Sequence, residues 1–429
     1  MNVTVFGLGK IGLPLAVQYS KKGCNVFGVD TNVKTVELIN HATVPFPGEE
    51  NLSLYLTEVI SNNRLKAFST GRDCVANSEI VVVAVPLLVS EHGDPDFINL
   101  DEATHEISLG LKKGTLVIYE TTLPIGTTRE RFATMLSEKS GLSAGFDFSL
   151  VFSPERVSSG RIFSDLRKYP KIVGGITKEC AEKAKTFYET VLDFNPRPDL
   201  DRENGVWVMA TCEEAEFVKL AETTYRDVNI ALANQFSIFA NKLGVNIYEV
   251  IRAANSQTFS NIHLPGIAVG GHCIPIYPQL YLWNDESATL VRHAREINLE
   301  MPSLIIQRLL LEWPNIESTS VLILGASYRS GVKEVAYSGV FPIFTELLEL
   351  GATVEVFDSL YSTDELEKLG LNPLTEIRKT EIAIIQTDDE LHRQLLEDKS
   401  NFPNLKVVVD GRNLFNGQFS ASHVKLISV

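Results

Sequence analysis

Cysteine is scarce in this chain: five thiols among 429 residues, at positions 24, 74, 180, 212 and 273, an odd number with no CxxC spacing. A disulfide framework or a structural zinc site needs paired, closely spaced thiols, so both are excluded and no metal centre is expected. Unpaired thiols fit a reducing compartment. Positive charge is short as well, with 39 Lys and Arg against 54 Asp and Glu for a net charge of −15. Binding nucleic acid calls for a basic surface that displaces counterions from phosphates, and this chain has the opposite sign. No apolar run reaches the roughly 18 residues a membrane span requires. The N-terminus goes directly into the β-branched run Val3–Phe6 with no basic or apolar leader. A cytoplasmic protein with no membrane partner is expected.

What is present is ordinary globular composition, 44% apolar and 22% charged, in a chain long enough for two or three domains. Val3–Phe6, Asn25–Val29, Ile80–Val85, Leu116–Tyr119 and Ser149–Phe152 are short β-branched runs separated by helical stretches, which predicts buried parallel strands. The Pro-rich run Asn195–Pro198 has the composition of a boundary. From Glu213 the period changes. Phe217, Ala221, Tyr225, Val228, Leu232, Phe236, Phe239 and Leu243 recur at spacings of three and four, the apolar face of a helix of about 30 residues, about 45 Å long, that Gly244 closes. A helix of that length either bridges domains or subunits or lies in a core. After Trp313-Pro314 strand and helix alternate again, with strands at Ser320–Leu324, Thr353–Phe357, Ile382–Gln386 and Val407–Val409 and a helix over Val340–Leu350. The fold class expected is α/β, two Rossmann-like doubly wound domains joined by a long central helix, with domains at 1–198, 199–314 and 315–429.

Gly7-Leu8-Gly9-Lys10-Ile11-Gly12 follows the first strand and opens a helix. Gly7 permits the tight turn, Gly9 lets the backbone approach a pyrophosphate, and Gly12 lets helix and strand pack closely. The helix N-terminus offers N–H groups to the phosphates. Asp30 ends the second strand, 18 residues after Gly12, where a carboxylate accepts from the ribose 2′-OH and repels a 2′-phosphate. NAD is therefore the expected cofactor. The second α/β unit opens on Gly325-Ala-Ser-Tyr-Arg-Ser-Gly331, which lacks this spacing, so a ligand other than a dinucleotide is expected there.

Cys273 sits in Ala268-Val-Gly-Gly-His-Cys-Ile-Pro275. Gly270 and Gly271 bring backbone close to whatever lies beside the thiol, and Pro275 stiffens the exit. A lone cysteine is commonly a small buried hydrophobe, but this frame suits a nucleophile. His272 is adjacent in sequence, a poor geometry for a dyad, and is given no role. Lys219 lies off the apolar stripe of the long helix with Thr223 and Arg226 at i+4 and i+7, a shared face that is either solvated or functional. Glu155 and Arg156, and the run Thr121-Thr122-Leu-Pro-Ile-Gly126, lie just past strand ends, where ligands gather in open α/β sheets.

These residues carry a resemblance. GLGKIGLP at 7–14, TTLPIGTT at 121–128, SPER at 153–156, KLAETTYRDVNIA at 219–231, LPGIAVGGHCIP at 264–275 and DGRN at 410–413 resemble, in order, the UDP-glucose/GDP-mannose dehydrogenase family of nucleotide-sugar 6-dehydrogenases. The resemblance implies an NAD-binding domain, a central helical dimerisation segment and a C-terminal UDP-sugar-binding domain. It also implies a homodimer and a four-electron oxidation of the sugar C6 alcohol to a carboxylate through a cysteine thiohemiacetal and thioester. By position Cys273 is the nucleophile and Lys219 the oxyanion-stabilising cation. Glu155 and Thr122 handle or position the hydrolytic water. Lys10, Ile11, Lys34 and Thr122 join Gly7, Gly9, Gly12 and Asp30 at the cofactor, and Arg156, Val157, Lys219, Thr223, Arg226, Gly270, Arg329 and Arg412 face the substrate. The runs Tyr225–Ala231 and Pro154–Val157 resemble the branch that acts on UDP-N-acetylmannosamine.

The chain departs from the family pattern at four positions. Thr223 replaces a common Asn, Tyr277 an Asp that shares in proton handling, Phe259 an arginine that reaches a neighbouring subunit, and Ala336 a cofactor-contacting arginine. These changes leave UDP-glucose or UDP-N-acetylglucosamine open as substrates. Two further alternatives are a two-electron 3-hydroxyacid dehydrogenase, which needs no cysteine, and a non-catalytic NAD-binding regulator.

Overall fold

The β-branched runs form two sheets. The computed structural model describes residues 1–90, 93–398, 400–419 and 423–429. They divide into two units: 1–222 with 279–284, and 223–278 with 285–429.

The first unit carries strands β1 (Asn2–Phe6), β2 (Asn25–Val29), β3 (Leu65–Phe68), β4 (Ile80–Val83), β5 (Leu116–Tyr119), β6 (Ser149–Phe152), β7 (Lys171–Gly175) and β8 (Val206–Val208). Their order in the sheet is β8-β7-β6-β5-β4-β1-β2-β3. The part from β3 to β6 is the parallel dinucleotide-fold order, whose switch point lies between β1 and β4. All residues of β4 and β5 are buried, which explains why their sequences read as unbroken apolar runs. β4 stops at Val83, two residues before the expected end, as the chain approaches Pro86, which has no N–H for a ladder. β7 runs antiparallel to β6, so its first residue lies at the edge where β5 and β6 end. The Pro-rich run at 195–198 falls inside this unit. Asn204 Nδ2 donates to the Asn195 carbonyl at 2.8 Å, tying that run down before β8.

The helix α1 (Gly12–Lys21) packs Leu13, Leu15, Ala16, Val17 and Tyr19 onto the sheet. Burying one such aliphatic side chain is worth about 1.5–3 kcal/mol.

The second unit has strands β9 (Ser320–Leu324), β10 (Thr353–Phe357), β11 (Ile382–Ile385), β12 (Val407–Asp410) and β13 (Lys425–Ser428). They are all parallel, in the order β10-β9-β11-β12-β13. This is the other common doubly wound order, with its switch point between β9 and β11.

The long helix α2 spans Cys212–Leu243, 32 residues, and ends where Gly244 turns to φ +66°. Its burial reverses what the apolar stripe suggests. Within the second unit Tyr225, Leu232, Phe236, Phe239 and Leu243 are exposed, while Thr223, Asp227, Asn234 and Ser237 are buried. The inner face is held by polar pairing with α3 (Thr289–Glu312). Arg295 Nη1 donates to Asp227 Oδ1 at 2.6 Å, and Asn298 Nδ2 to the same oxygen at 2.8 Å. Asn234 Nδ2 in turn donates to Asn298 Oδ1 at 2.8 Å. The stripe is thus not a core face of this chain.

Candidate functional site

The glycine turn after β1 occupies the switch point of the first sheet. Gly7 has φ +84°, and a Cβ there would stand 3.0 Å from the Ala84 carbonyl oxygen. A Cβ on Gly12 would lie 1.8 Å from the Gly7 carbonyl oxygen, whereas nothing lies within 4 Å of one on Gly9. Gly7 and Gly12 are demanded by packing, and the open space over Gly9 leaves room for a pyrophosphate beside the helix N-terminus. Lys10 and Ile11 between them are half-buried. Asp30, just past β2, accepts from the Leu8 N–H at 2.8 Å and the Asn32 N–H at 2.9 Å, so it also braces the turn. Lys34 is exposed in the helix that follows. This cradle fits a dinucleotide.

Replacing Asp30 by alanine is expected to raise KM for NAD about tenfold or more, since a hydrogen bond to a charged group is worth about 1.5–3 kcal/mol. The gap to NADP should narrow at the same time. Steady-state assays with both cofactors decide it, and unchanged discrimination would place the ribose away from Asp30.

At the carboxyl ends of β5 and β6 the same unit gathers charged groups. Glu155 Oε1 accepts from the N–H groups of Arg156 (2.6 Å) and Val157 (3.1 Å), and Glu155 Oε2 accepts from Lys171 Nζ at 3.0 Å. Burial alone would raise the Glu155 carboxyl; the Lys171 ammonium and these N–H groups outweigh it and hold it below the usual carboxylate range. Arg156 Nε donates to Glu222 Oε2 at 2.9 Å, and Lys219 Nζ to Glu222 Oε1 at 3.2 Å. Lys219 is 7% exposed, so the solvated-face reading of this lysine is excluded. Thr122 is buried in a turn anchored by Glu216, whose carboxylate accepts from Gly126 N (2.6 Å), Thr128 N (2.8 Å) and Thr128 Oγ1 (2.6 Å). Burial pushes the Glu216 carboxyl up to about 7 against those bonds.

In the second unit the Cys273 segment is fastened close to the carboxyl edge of the five-stranded sheet. Ile267 N donates to the Gly411 carbonyl at 3.0 Å and Gly271 N to the Ala336 carbonyl at 2.8 Å. A Cβ on Gly270 would lie 2.6 Å from Tyr328 Cβ, and Gly271 has φ +91°, so the two glycines serve the close approach of this segment to the loop that carries Tyr328 and Ala336. Cys273 is exposed while the other four cysteines are buried.

Burial raises the Tyr328 hydroxyl; Arg329 and Arg226 oppose that rise and Cys273 and Glu334 add to it, which puts all four in one electrostatic neighbourhood. Thr223 is buried but Arg226 is exposed, so the expected common face of this helix divides into two environments. Arg412 is half-buried and donates from Nε to the Gln386 carbonyl at 2.7 Å, just past β11. The turn after β9 echoes the cofactor turn: Gly325 has φ +108°, and Asp358 Oδ2 accepts from Ala326 N (2.9 Å) and Ser327 N (2.8 Å).

Sequence reasoning missed Glu120, Lys171, Glu216 and Glu222 in the first unit and Tyr328 and Arg295 in the second. One signal was available for the first two: each is a charged residue abutting an otherwise apolar strand. Among the described residues no cluster of His, Cys, Asp and Glu could hold a metal ion, and no helix is long and apolar enough to cross a membrane.

Three family models match the chain in succession. They are the NAD binding domain of the UDP-glucose/GDP-mannose dehydrogenase family over residues 1–192, its central domain over 213–300 and its UDP binding domain over 322–417. Over 423 residues the chain is 34% identical to the UDP-N-acetyl-D-mannosamine dehydrogenase of Pyrococcus horikoshii, with 96% of each covered. The solved structure of the UDP-D-ManNAc dehydrogenase from that organism matches with a TM-score of 0.89 at 30% identity, covering 100% of this chain and 99% of that one. Similarity extends at 29% identity over 430 residues to the NDP-N-acetyl-D-galactosaminuronic acid dehydrogenase of Ralstonia solanacearum, with 97% of each covered.

Proposed function

The chain belongs to the UDP-glucose/GDP-mannose dehydrogenase family, and from that premise we propose that this NAD-dependent nucleotide-sugar dehydrogenase carries the C6 hydroxyl of UDP-N-acetyl-D-mannosamine through to the carboxylate. NAD, when bound at the Gly7–Gly12 turn, supplies the hydride acceptor for each of the two oxidations. Cys273 Sγ adds to the C6 aldehyde left by the first oxidation, and the resulting thiohemiacetal is oxidised to a thioester. Water then adds to the thioester carbon, its proton passes to Glu155, and the C–S electron pair leaves with the sulfur. Lys219 stabilises the C6 oxyanion at each addition, and Thr122 positions the water. Arg156, Val157, Thr223, Arg226, Gly270, Arg329 and Arg412 hold sugar and diphosphate, for which the arginine fork is suited. With Tyr277 in place of an aspartate, the hydrolytic proton falls to Glu155.

The chemistry rests on one observation: a single exposed thiol, carried on a glycine segment near the carboxyl edge of the second sheet. Full-length similarity to UDP-N-acetyl-D-mannosamine dehydrogenases supports the choice of sugar. A pocket built around an acetamido group leaves a polar group unpaired when the substrate lacks it, at a cost of about 1–3 kcal/mol. The ratio kcat/KM should therefore be about tenfold or more higher for UDP-N-acetylmannosamine than for UDP-glucose. Assays of these two, UDP-N-acetylglucosamine and GDP-mannose at equal concentration test it, and tenfold faster turnover of UDP-glucose would overturn the sugar while leaving the chemistry standing.

The assembly is read as a homodimer through α2. The exposed stripe Leu232, Phe236, Phe239 and Leu243 supports it, because a contiguous apolar face is costly to leave in water.

A further inference from the structure

Behind Glu155 lie buried groups that the reaction so far leaves without a task. Glu120, just past β5, is 1% exposed, and Lys171, the first residue of β7, is 5% exposed. The Lys171 ammonium donates to Glu120 Oε1 as well as to Glu155 Oε2. The other Glu120 oxygen accepts from the Tyr19 hydroxyl at 3.1 Å and the Tyr188 hydroxyl at 3.0 Å. Glu120 is thus faced by a phenol from α1, a phenol from the helix Lys178–Val191, the ammonium from β7 and the Glu155 carboxylate past β6. Arg156 lies beyond Glu155 and turns its guanidinium to Glu222.

Two carboxylates, one of them fully buried, share one buried ammonium. A one-to-one ion pair would satisfy the fold, and the second carboxylate brings a surplus negative charge that burial penalises. Holding a proton removes that penalty. The two carboxyls are also pushed apart: burial raises Glu120 against the pull of Lys171, while Lys171 and the backbone N–H groups hold Glu155 below the usual range. A proton on Glu155 therefore moves downhill to Glu120.

We propose that Glu120 is a buried proton acceptor behind Glu155, bridged to it by Lys171, and that it resets Glu155 during thioester hydrolysis. The proposal rests on the role of Glu155 given above. As water adds to the thioester, its O–H bond breaks, the C–O bond forms, the proton goes to Glu155 and the thiolate leaves. Lys171 then takes the Glu155 proton while passing one of its own to Glu120. The ammonium is unchanged, Glu155 is a carboxylate again and Glu120 is the acid. Once product leaves, the proton returns to solvent by the same route. Glu120 and Lys171 act through Glu155 and are positioning residues.

The test is Glu120→Gln, which keeps the shape and the phenol contacts and removes the titration. Single-turnover rapid quench with UDP-N-acetylmannosamine and NAD should show both hydride transfers at the parent rate. Thioester hydrolysis should be slowed at least about tenfold, with bound thioester accumulating. The relay predicts an inflection in the hydrolysis rate set by the raised Glu120 carboxyl, and Glu120→Gln should remove it. Glu155→Gln is run alongside. If Glu155→Gln slows hydrolysis and Glu120→Gln changes neither rate nor pH profile, the relay is overturned and the role of Glu155 stands. If Glu155→Gln has no effect, the underlying reading fails instead. Should Glu120→Gln not fold, Tyr19→Phe and Tyr188→Phe each remove a donor that favours the Glu120 carboxylate. The relay then requires the inflection to move to higher pH, and an unmoved inflection overturns it.

Discussion

Cys273→Ala abolishes uronate formation and leaves NAD binding intact. An aldehyde can give up a second hydride readily only after a nucleophile has added to it, and alanine offers none. The fall in acid output should be at least about ten-thousandfold, the scale on which losing a covalent nucleophile is felt in other enzymes. The fold should not suffer. Cys273 is exposed, and substitutions at exposed positions away from special backbone usually change stability by about 0.5 kcal/mol or less. The substitution leaves the residues assigned to NAD, the 7–12 glycine turn and Asp30, unchanged, so the dissociation constant for NAD should match the parent. Rapid quench should detect no thioester, and NADH released per sugar should fall from two to at most one. The same stoichiometry, measured on the parent, separates the four-electron reaction from a two-electron alcohol dehydrogenase, which releases one, and from a non-catalytic binder, which releases none. Normal uronate output from the variant would end the thioester mechanism.

Lys219→Ala should cut turnover at least about a hundredfold with a smaller change in KM. A preorganised charge at a developing oxyanion is worth about 2.7–4 kcal/mol because it acts in the transition state more than in the ground state. Lys219 is buried and donates to Glu222, which is also held by Arg156 at 2.9 Å, so the variant leaves that carboxylate paired. Removing a buried lysine should nonetheless cost some stability, and pairing of Glu222 with Arg156 limits that loss. Measured kcat, KM and melting temperature together distinguish the two roles. A fall in turnover below about threefold, with a drop in stability, would make Lys219 merely a partner for Glu222.

The strands of the first sheet and the cofactor turn were legible in the sequence for physical reasons. A strand covered on both faces has to be apolar along its whole length, as Ile80–Val83 and Leu116–Tyr119 are, and a turn that brings Gly12 against the Gly7 carbonyl admits no side chain. Two features were not legible. Periodicity along α2 shows where the large apolar side chains lie but not what covers them, and here the covered side carries small and polar residues, Ala231, Ala233 and Ala240 beside Asp227, Asn234 and Ser237. The Glu120–Lys171 pair joins residues 51 positions apart, and it exists because β7 turns back antiparallel at the sheet edge. No local pattern announces that reversal, so a charged residue beside each of two apolar strands gives no sign that the two meet.

The hydrogen-bonded inner face of α2 also governs how that helix can move. Packed apolar helices can shear past one another by small sliding steps. Here Asp227 meets Arg295 and Asn298, and Asn234 meets Asn298 and the Gly266 N–H. A slide of one residue along the axis would strand a buried charge and several amides at once, so α2 has no gradation of neighbouring positions against α3. Any displacement of α2 during a catalytic cycle must therefore carry α3 with it as one rigid lever, or else break the whole set in a single all-or-none step.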